Sequence, residues 1–182
     1  MGRVETFFIT GVNGAGKTTL ASLLKKILPK NYQIHDFDER GVPNNVNALW
    51  RRRTTRYWLE RARDNAKSNV TTVISGLSKP HEIFHATTKR NQRKIRIAFL
   101  DVSSKQINKR LHRRYATPAK IRKLKAVTGL SLKDCITANI QHARELRQEC
   151  KKYRCITFNT TTAKPSRTAD KVAIWIIHQS QN

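Results

Sequence analysis

Residues 11 to 18 read Gly-Val-Asn-Gly-Ala-Gly-Lys-Thr, a run of glycines closed by a lysine and a hydroxyl side chain. Glycines let successive backbone N–H groups curl around an anion, and a helix opening directly behind the loop adds the positive end of its dipole. At the spacing Gly-x-x-x-x-Gly-Lys-Thr the lysine reaches the β- and γ-phosphates and the hydroxyl ligates Mg²⁺. Asn13, Gly14, Ala15, Gly16, Lys17, Thr18 and Thr19 are therefore the expected contacts of a nucleoside triphosphate, with Thr18 on the metal and Lys17 on the reacting phosphates. A chance glycine-rich turn is the alternative. It fails on context, because an apolar, β-rich run precedes the loop and a helical pattern follows it.

Carboxylates are scarce in this chain, yet three of the 12 fall within four positions: Asp36, Asp38 and Glu39. Asp36 and Asp38 are two apart, so on extended backbone both point the same way. The pattern fits either a reactive acid pair or a capped turn. Asp101 ends another apolar run and is a further acidic candidate.

A second constellation is Trp50-Arg51-Arg52-Arg53-Thr54-Thr55-Arg56-Tyr57-Trp58. On a helix, Trp50, Arg53 or Thr54, and Tyr57 or Trp58 share a face. Such aromatics stack on a base while arginines hold an anion; equally, they form a core face beside solvated cations. Between residues 102 and 133 there is no acid and ten basic side chains, among them Arg110, Arg113 and Arg114. Planar guanidinium groups suit phosphate oxygens. His81-Glu82-Ile83-Phe84-His85 spells the zinc-protease pattern, but it is short, no third ligand is suggested, and the phosphate loop already accounts for the chain.

The elements that must position these residues alternate. Strand-like runs occupy residues 4–10, 32–37, 70–75, 95–101 and 155–159. Helical patterns occupy 17–28, 46–67, 103–115, 132–153 and 168–178, and Pro118 and Gly129 bracket a basic segment. Alternation of this kind predicts a parallel sheet covered on both faces, in one α/β domain over residues 1–182. Lys and Arg number 37 against 12 Asp and Glu, a net charge of +25. That surface attracts polyanions, nucleic acid included, or is simply a solvated cationic face. No apolar run is long enough to span a membrane and no signal-peptide pattern is present. The three cysteines form no Cys-x-x-Cys pair and read as thiols in a reducing compartment, so a cytoplasmic location is expected.

Transporter-type ATPases need a Leu-Ser-Gly-Gly-Gln signature, and GTPases need a guanine-reading Lys-x-Asp; neither is present. The chain resembles instead the small P-loop kinases of the nucleoside, nucleotide, shikimate and gluconate kinase group. The likeness rests on the Walker A loop, the acidic pair at Asp36 and Asp38, the arginines at 110, 113 and 114, and Asn159-Thr160-Thr161-Thr162. It implies a three-layer P-loop NTPase fold with a five-stranded parallel sheet and helices on both faces. It also implies ATP and Mg²⁺ as cofactors and phosphoryl transfer to a small, nucleoside-like acceptor.

By that analogy Asp38 is the base and Asp36 a direct or water-mediated Mg²⁺ partner, with Asp101 as the competing choice. Arg110 and Arg114 stabilise the transferring phosphate and Arg113 binds the nucleotide. Residues 43–69 form the acceptor region and residues 110–130 a basic lid; the substrate contacts are Asp38 and Arg40, ahead of that region, and Arg51 and Trp58 within it. Related kinases often carry Asp at the end of the third strand, where this chain has Ser75-Gly76. The alternative function is a nucleic-acid-binding P-loop NTPase or a polynucleotide 5′-hydroxyl kinase that uses the basic surface.

Overall fold

The middle of the sheet follows most directly from the residues. Thr6–Thr10 (β1, TFFIT) is buried at all five positions, and a strand covered on both faces has no reason to alternate. In the computed structural model, which describes residues 5–43 and 46–181, β1 lies between Thr71–Gly76 (β3) and Ile95–Asp101 (β4), parallel to both. Tyr32–Asp36 (β2) pairs with β3, and Ile156–Asn159 (β5) pairs with β4, also in parallel. The five-stranded order is β2-β3-β1-β4-β5. Phe8 sits opposite Ile74 on one side and Ile97 on the other.

Parallel neighbours need crossovers, and helices supply them. Lys17–Ile27 (α1) follows β1, and Ala48–Lys67 (α2) joins β2 to β3. The short Pro80–His85 (α3) and Lys89–Gln92 (α4) lie between β3 and β4. Ser104–Arg114 (α5), Pro118–Thr128 (α6) and Leu132–Lys152 (α7) lie between β4 and β5, and Pro165–Gln181 (α8) follows β5. The two faces of the sheet bury different residues of the same strand. Phe7 and Ile9 belong to a cluster with Leu20 and Leu24 of α1, Ile107 and Leu111 of α5, Leu146 of α7 and Ile176 of α8. Phe8 belongs to a second cluster with Ile74, Trp58 and Leu59 of α2, and Ile83 of α3. Helices on both faces and a five-stranded parallel sheet make the three-layer architecture that the sequence predicts.

Local signals set the boundaries. Asn47 caps α2, its side chain accepting from the Trp50 N–H, so that helix starts two residues later than the apolar pattern suggests. Thr117 caps α6 with Pro118 in the first turn, and Gly129 ends it at φ 71°. Left-handed backbone there favours glycine. The basic segment of residues 118–129 is thus a helix of its own, with only Leu124 buried. The helix α7 ends with Arg154 at φ 52° and the Cys155 N–H bonded to Cys150 O at 2.9 Å. That turn brings the two cysteines together, a pairing their sequence spacing does not advertise. No described helix is long and apolar enough to cross a membrane.

Candidate active site

Every strand delivers something to one crevice at the carboxyl edge of the sheet. Past β1 come Asn13 to Thr19; β2 ends in Asp36, β3 in Gly76, and β4 contributes Leu100; just past β5 comes Thr160. The cavity measures about 730 Å³, within the range of sites that enclose a small ligand. Open α/β sheets bind ligands at this edge because the loops that follow the strands, and the helix N-termini, converge there.

The phosphate loop is held from several directions. Gly14 and Gly16 adopt φ of 86° and 96°, so both lie in the region where glycine is favoured. A side chain at Gly11 would meet Leu100 O at 3.1 Å and the Ala15 Cβ at 3.0 Å. Lys17 folds back over the loop and donates from Nζ to Gly11 O at 2.8 Å and to Val12 O at 3.1 Å. Burial pushes its ammonium down to about 8, while Asp36 and Asp38 pull it back up. The Asn13 N–H donates to Oδ1 of buried Asn139 on α7 at 3.1 Å, and Asn139 Nδ2 in turn donates to Cys135 O. No motif marks Asn139 in the sequence; its partner is 126 positions away.

Asp36, Asp38, Lys17 and Thr18 line the same crevice. The Asp38 N–H donates to Asp36 Oδ1 at 2.9 Å, and Glu39 is turned away onto His35 Nδ1 at 2.9 Å. The cleft walls raise the Asp38 carboxyl above the ordinary value, with the charge on Asp36 adding to that rise and Lys17 and Arg51 opposing it. An acid tuned upward beside a phosphate loop is poised as a proton acceptor. Thr18, Asp36 and Asp38 offer only oxygen donors, and no cluster of three or more His, Cys, Asp or Glu able to hold a metal exists among the described residues. That donor set fits Mg²⁺, a hard cation usually shared between one or two protein oxygens, substrate phosphates and water.

Of the arginines at 110, 113 and 114, all of which line the crevice, one departs from the lid role. Arg110 donates from Nη1 to Gly14 O at 2.8 Å and from Nη2 to Thr160 O at 2.6 Å, tying the phosphate loop to the loop after β5. Arg113 and Arg114 make no such tie and are exposed, as is Lys109, a crevice residue that the sequence does not distinguish from its basic neighbours. Gln106, Ala163, Pro165 and Thr168 complete the lining of the cavity.

Four expectations need correction. Trp58 is fully buried in the core beneath the acid turn, its Nε1 donating to Phe37 O at 3.1 Å, so its ring supports the site and cannot stack on a ligand. Arg51 forms a two-pronged ion pair with Glu82, at 2.8 Å for each of Nε–Oε1 and Nη2–Oε2, and donates to Leu77 O, so it is a structural strap. Arg40 lies 3.9 Å over the Tyr57 ring, outside the crevice. Asp101 is engaged by Arg147 at 2.6 Å and does not line the crevice, which leaves Asp36 and Asp38 as the acids there. The Glu82 that completes the zinc-protease pattern is the one that pairs with Arg51, and His81 is held by Glu149 at 2.8 Å.

The missing acid at the end of β3 also has a physical reason. A Cβ at Gly76 would lie 2.2 Å from the Phe37 Cβ. The space that an aspartate would fill is taken by Phe37, which sits between Asp36 and Asp38 and is 1% exposed.

No family model matches the chain, and no curated protein matches it either. Solved structures do. A shikimate kinase from Acinetobacter baumannii in complex with shikimate superposes with TM-score 0.62 at 13% identity, covering 98% of this chain and 96% of that one. A gluconokinase from Sinorhizobium meliloti gives 0.59 at 14% identity and 99% coverage of both. A full-length tRNA isopentenylpyrophosphate transferase from Bacillus halodurans gives 0.62 at 10% identity, with 98% and 97% covered. The phosphate loop, the parallel sheet and these superpositions agree: the fold of this chain is that of the small P-loop kinases.

Proposed function

We propose that the protein transfers the γ-phosphate of ATP to an acceptor hydroxyl brought beside Asp38. The observation that carries this reading is the meeting of Lys17, Thr18, Asp36, Asp38, Arg113 and Arg114 in one crevice, with the Asp38 carboxyl pushed upward. Thr18 and Asp36 would hold Mg²⁺, which neutralises charge on the transferring phosphate. The P-loop N–H groups and Lys17 grip the phosphates; to do so Lys17 exchanges the carbonyls of Gly11 and Val12 for phosphate oxygens. Arg113 and Arg114 supply charge to the far side of the transferring group. Asp38 accepts the proton as the hydroxyl attacks in line, and most of the rate comes from positioning and electrostatic stabilisation. Arg110 is clamped by its edge to Gly14 O and Thr160 O. With Ala163, Pro165 and Thr168 it forms the seat for the nucleobase.

The names of the structural neighbours point to acceptors as different as shikimate, gluconate and tRNA, so the shared fold leaves the acceptor open. The test is transfer of labelled γ-phosphate to a panel of nucleosides, sugars, hydroxy acids and oligonucleotides. A labelled product that disappears with Lys17→Ala supports the reading. ATP binding with no transfer to any acceptor rejects it.

A further inference from the structure

We infer that the acceptor hydroxyl is the end of a single-stranded polynucleotide, led to Asp38 along the outer face of α2. This rests on the phosphotransfer reading and adds the class of acceptor.

The first half of α2 is fastened to the Asp38 end of the crevice. Arg51 Nη2 donates to Leu77 O at 2.9 Å, and Trp58 Nε1 donates to Phe37 O at 3.1 Å. The Trp50 ring meets Phe37 edge-on at 6.1 Å, and Arg40 covers Tyr57. Leu77, Asp36 and Asp38 all line the cavity. A chain lying on the outside of this half-helix is therefore led toward Asp38.

The outside of that half-helix carries Arg52, Arg53 and Arg56. All three are exposed and none is in an ion pair among the described residues. Arg52 and Arg56 are four apart, one turn above the other, where like charges repel. Seven residues on, exposed Arg63 lies on the same face beyond one exposed acid, Glu60, so the uninterrupted cations are those of the first half of the helix. Leu49, one turn before Arg52 and Arg53 on the helix, is 52% exposed, and Val42 and Val46, which precede α2 in the chain, are each 51% exposed. Cations in file with apolar surface next to them match a strand of alternating phosphates and bases. A small acceptor held within the cavity reaches none of these arginines, whereas a polyanion threaded toward Asp38 reaches them all. An anionic bilayer is also drawn to a +25 surface, but a bilayer is flat and the acid pair lines a cavity at the edge of the sheet.

The experiment compares labelled phosphate transfer to a single nucleoside and to oligonucleotides of increasing length with free 5′- and 3′-hydroxyls. It is run on the full chain and on Arg52→Gln/Arg53→Gln/Arg56→Gln. Expected is a kcat/KM that rises at least about tenfold with length and falls about twentyfold between 50 and 200 mM salt, the loss for three phosphate contacts on a single strand. The triple variant should lose the gain from length and most of the salt dependence, while transfer to the nucleoside stays unchanged. Small acceptors phosphorylated with no gain from length, or a triple variant that keeps the gain, would overturn the inference and leave the phosphotransfer reading standing. Tighter binding to phosphatidylserine vesicles than to the oligonucleotide would overturn it as well. ATP binding without transfer to any acceptor rejects the underlying reading, and this inference with it.

Discussion

At the scale of single residues, the proposed phosphotransfer gives Lys17 and Asp38 opposite parts. Asp38→Asn keeps the shape of the side chain and removes its capacity to take a proton. Phosphate transfer should fall by about 10²–10⁴-fold, the usual worth of a positioned base, while nucleotide affinity changes little; transfer assays beside calorimetric binding check both. Lys17 is the pH-sensitive partner. Its ammonium is lowered to about 8 by burial, and a bound triphosphate favours the charged form. Below that pH the lysine is already charged, and above it binding must take up a proton. Affinity for Mg²⁺-free ATP should therefore weaken as pH climbs past about 8, and the binding heat at pH 9 should vary with the ionisation enthalpy of the buffer. A pH-independent affinity from 7 to 9.5 would contradict this. The loop and the acid pair are legible in the sequence because their residues are adjacent in it. Asn139 is not, and Arg110 reads only as a lid arginine, because the tie each makes uses a backbone group supplied by a distant element.

Among the elements, α2 shows where a sequence pattern divides. Its aromatic-and-arginine run reads equally as a ligand face or as a core face, and only the helix's docking decides. Trp58 went inside, Arg52 and Arg56 outside, and Arg51 into a pair with Glu82. Trp58→Ala should cost about 3–5 kcal/mol as a large buried ring is lost, read as a lower urea midpoint. The Arg51–Glu82 pair makes a different prediction, since both side chains are mostly sheltered at 14% and 17% exposure. Arg51→Ala strands the Glu82 carboxylate and should destabilise by about 3 kcal/mol. Arg51→Ala with Glu82→Ala should be the milder change of the two, and a double variant worse than the single would refute the strap. The strands and long helices are recoverable from periodicity. The short α3 and α4 and the independent α6 are not, because too few of their residues are buried to leave a pattern.

For the molecule as a whole, order of elements and strand composition foretell the parallel sheet, while the surface charge says only that anions are attracted. The contact between Gly76 and Phe37 reaches further than local packing. It makes two neighbouring positions mutually exclusive: the chain has room for a β-carbon at position 76, at the end of β3, or for one at position 37, just after β2, and not for both. Gly76→Ala alone should therefore displace the turn that carries Asp36 and Asp38, lowering both stability and transfer. Phe37→Gly, which removes the β-carbon as well as the ring, should alone cost at least about 3–5 kcal/mol as a cavity forms. Combined, the two should be less damaging than the sum of their separate effects, a coupling that a denaturation cycle on the four proteins measures. Strict additivity would show that the two sites do not compete. In evolutionary terms, a single substitution cannot convert this crevice to one with an acid on β3. The path runs through a weakened intermediate, and that barrier keeps the acids of this crevice on the turn after β2.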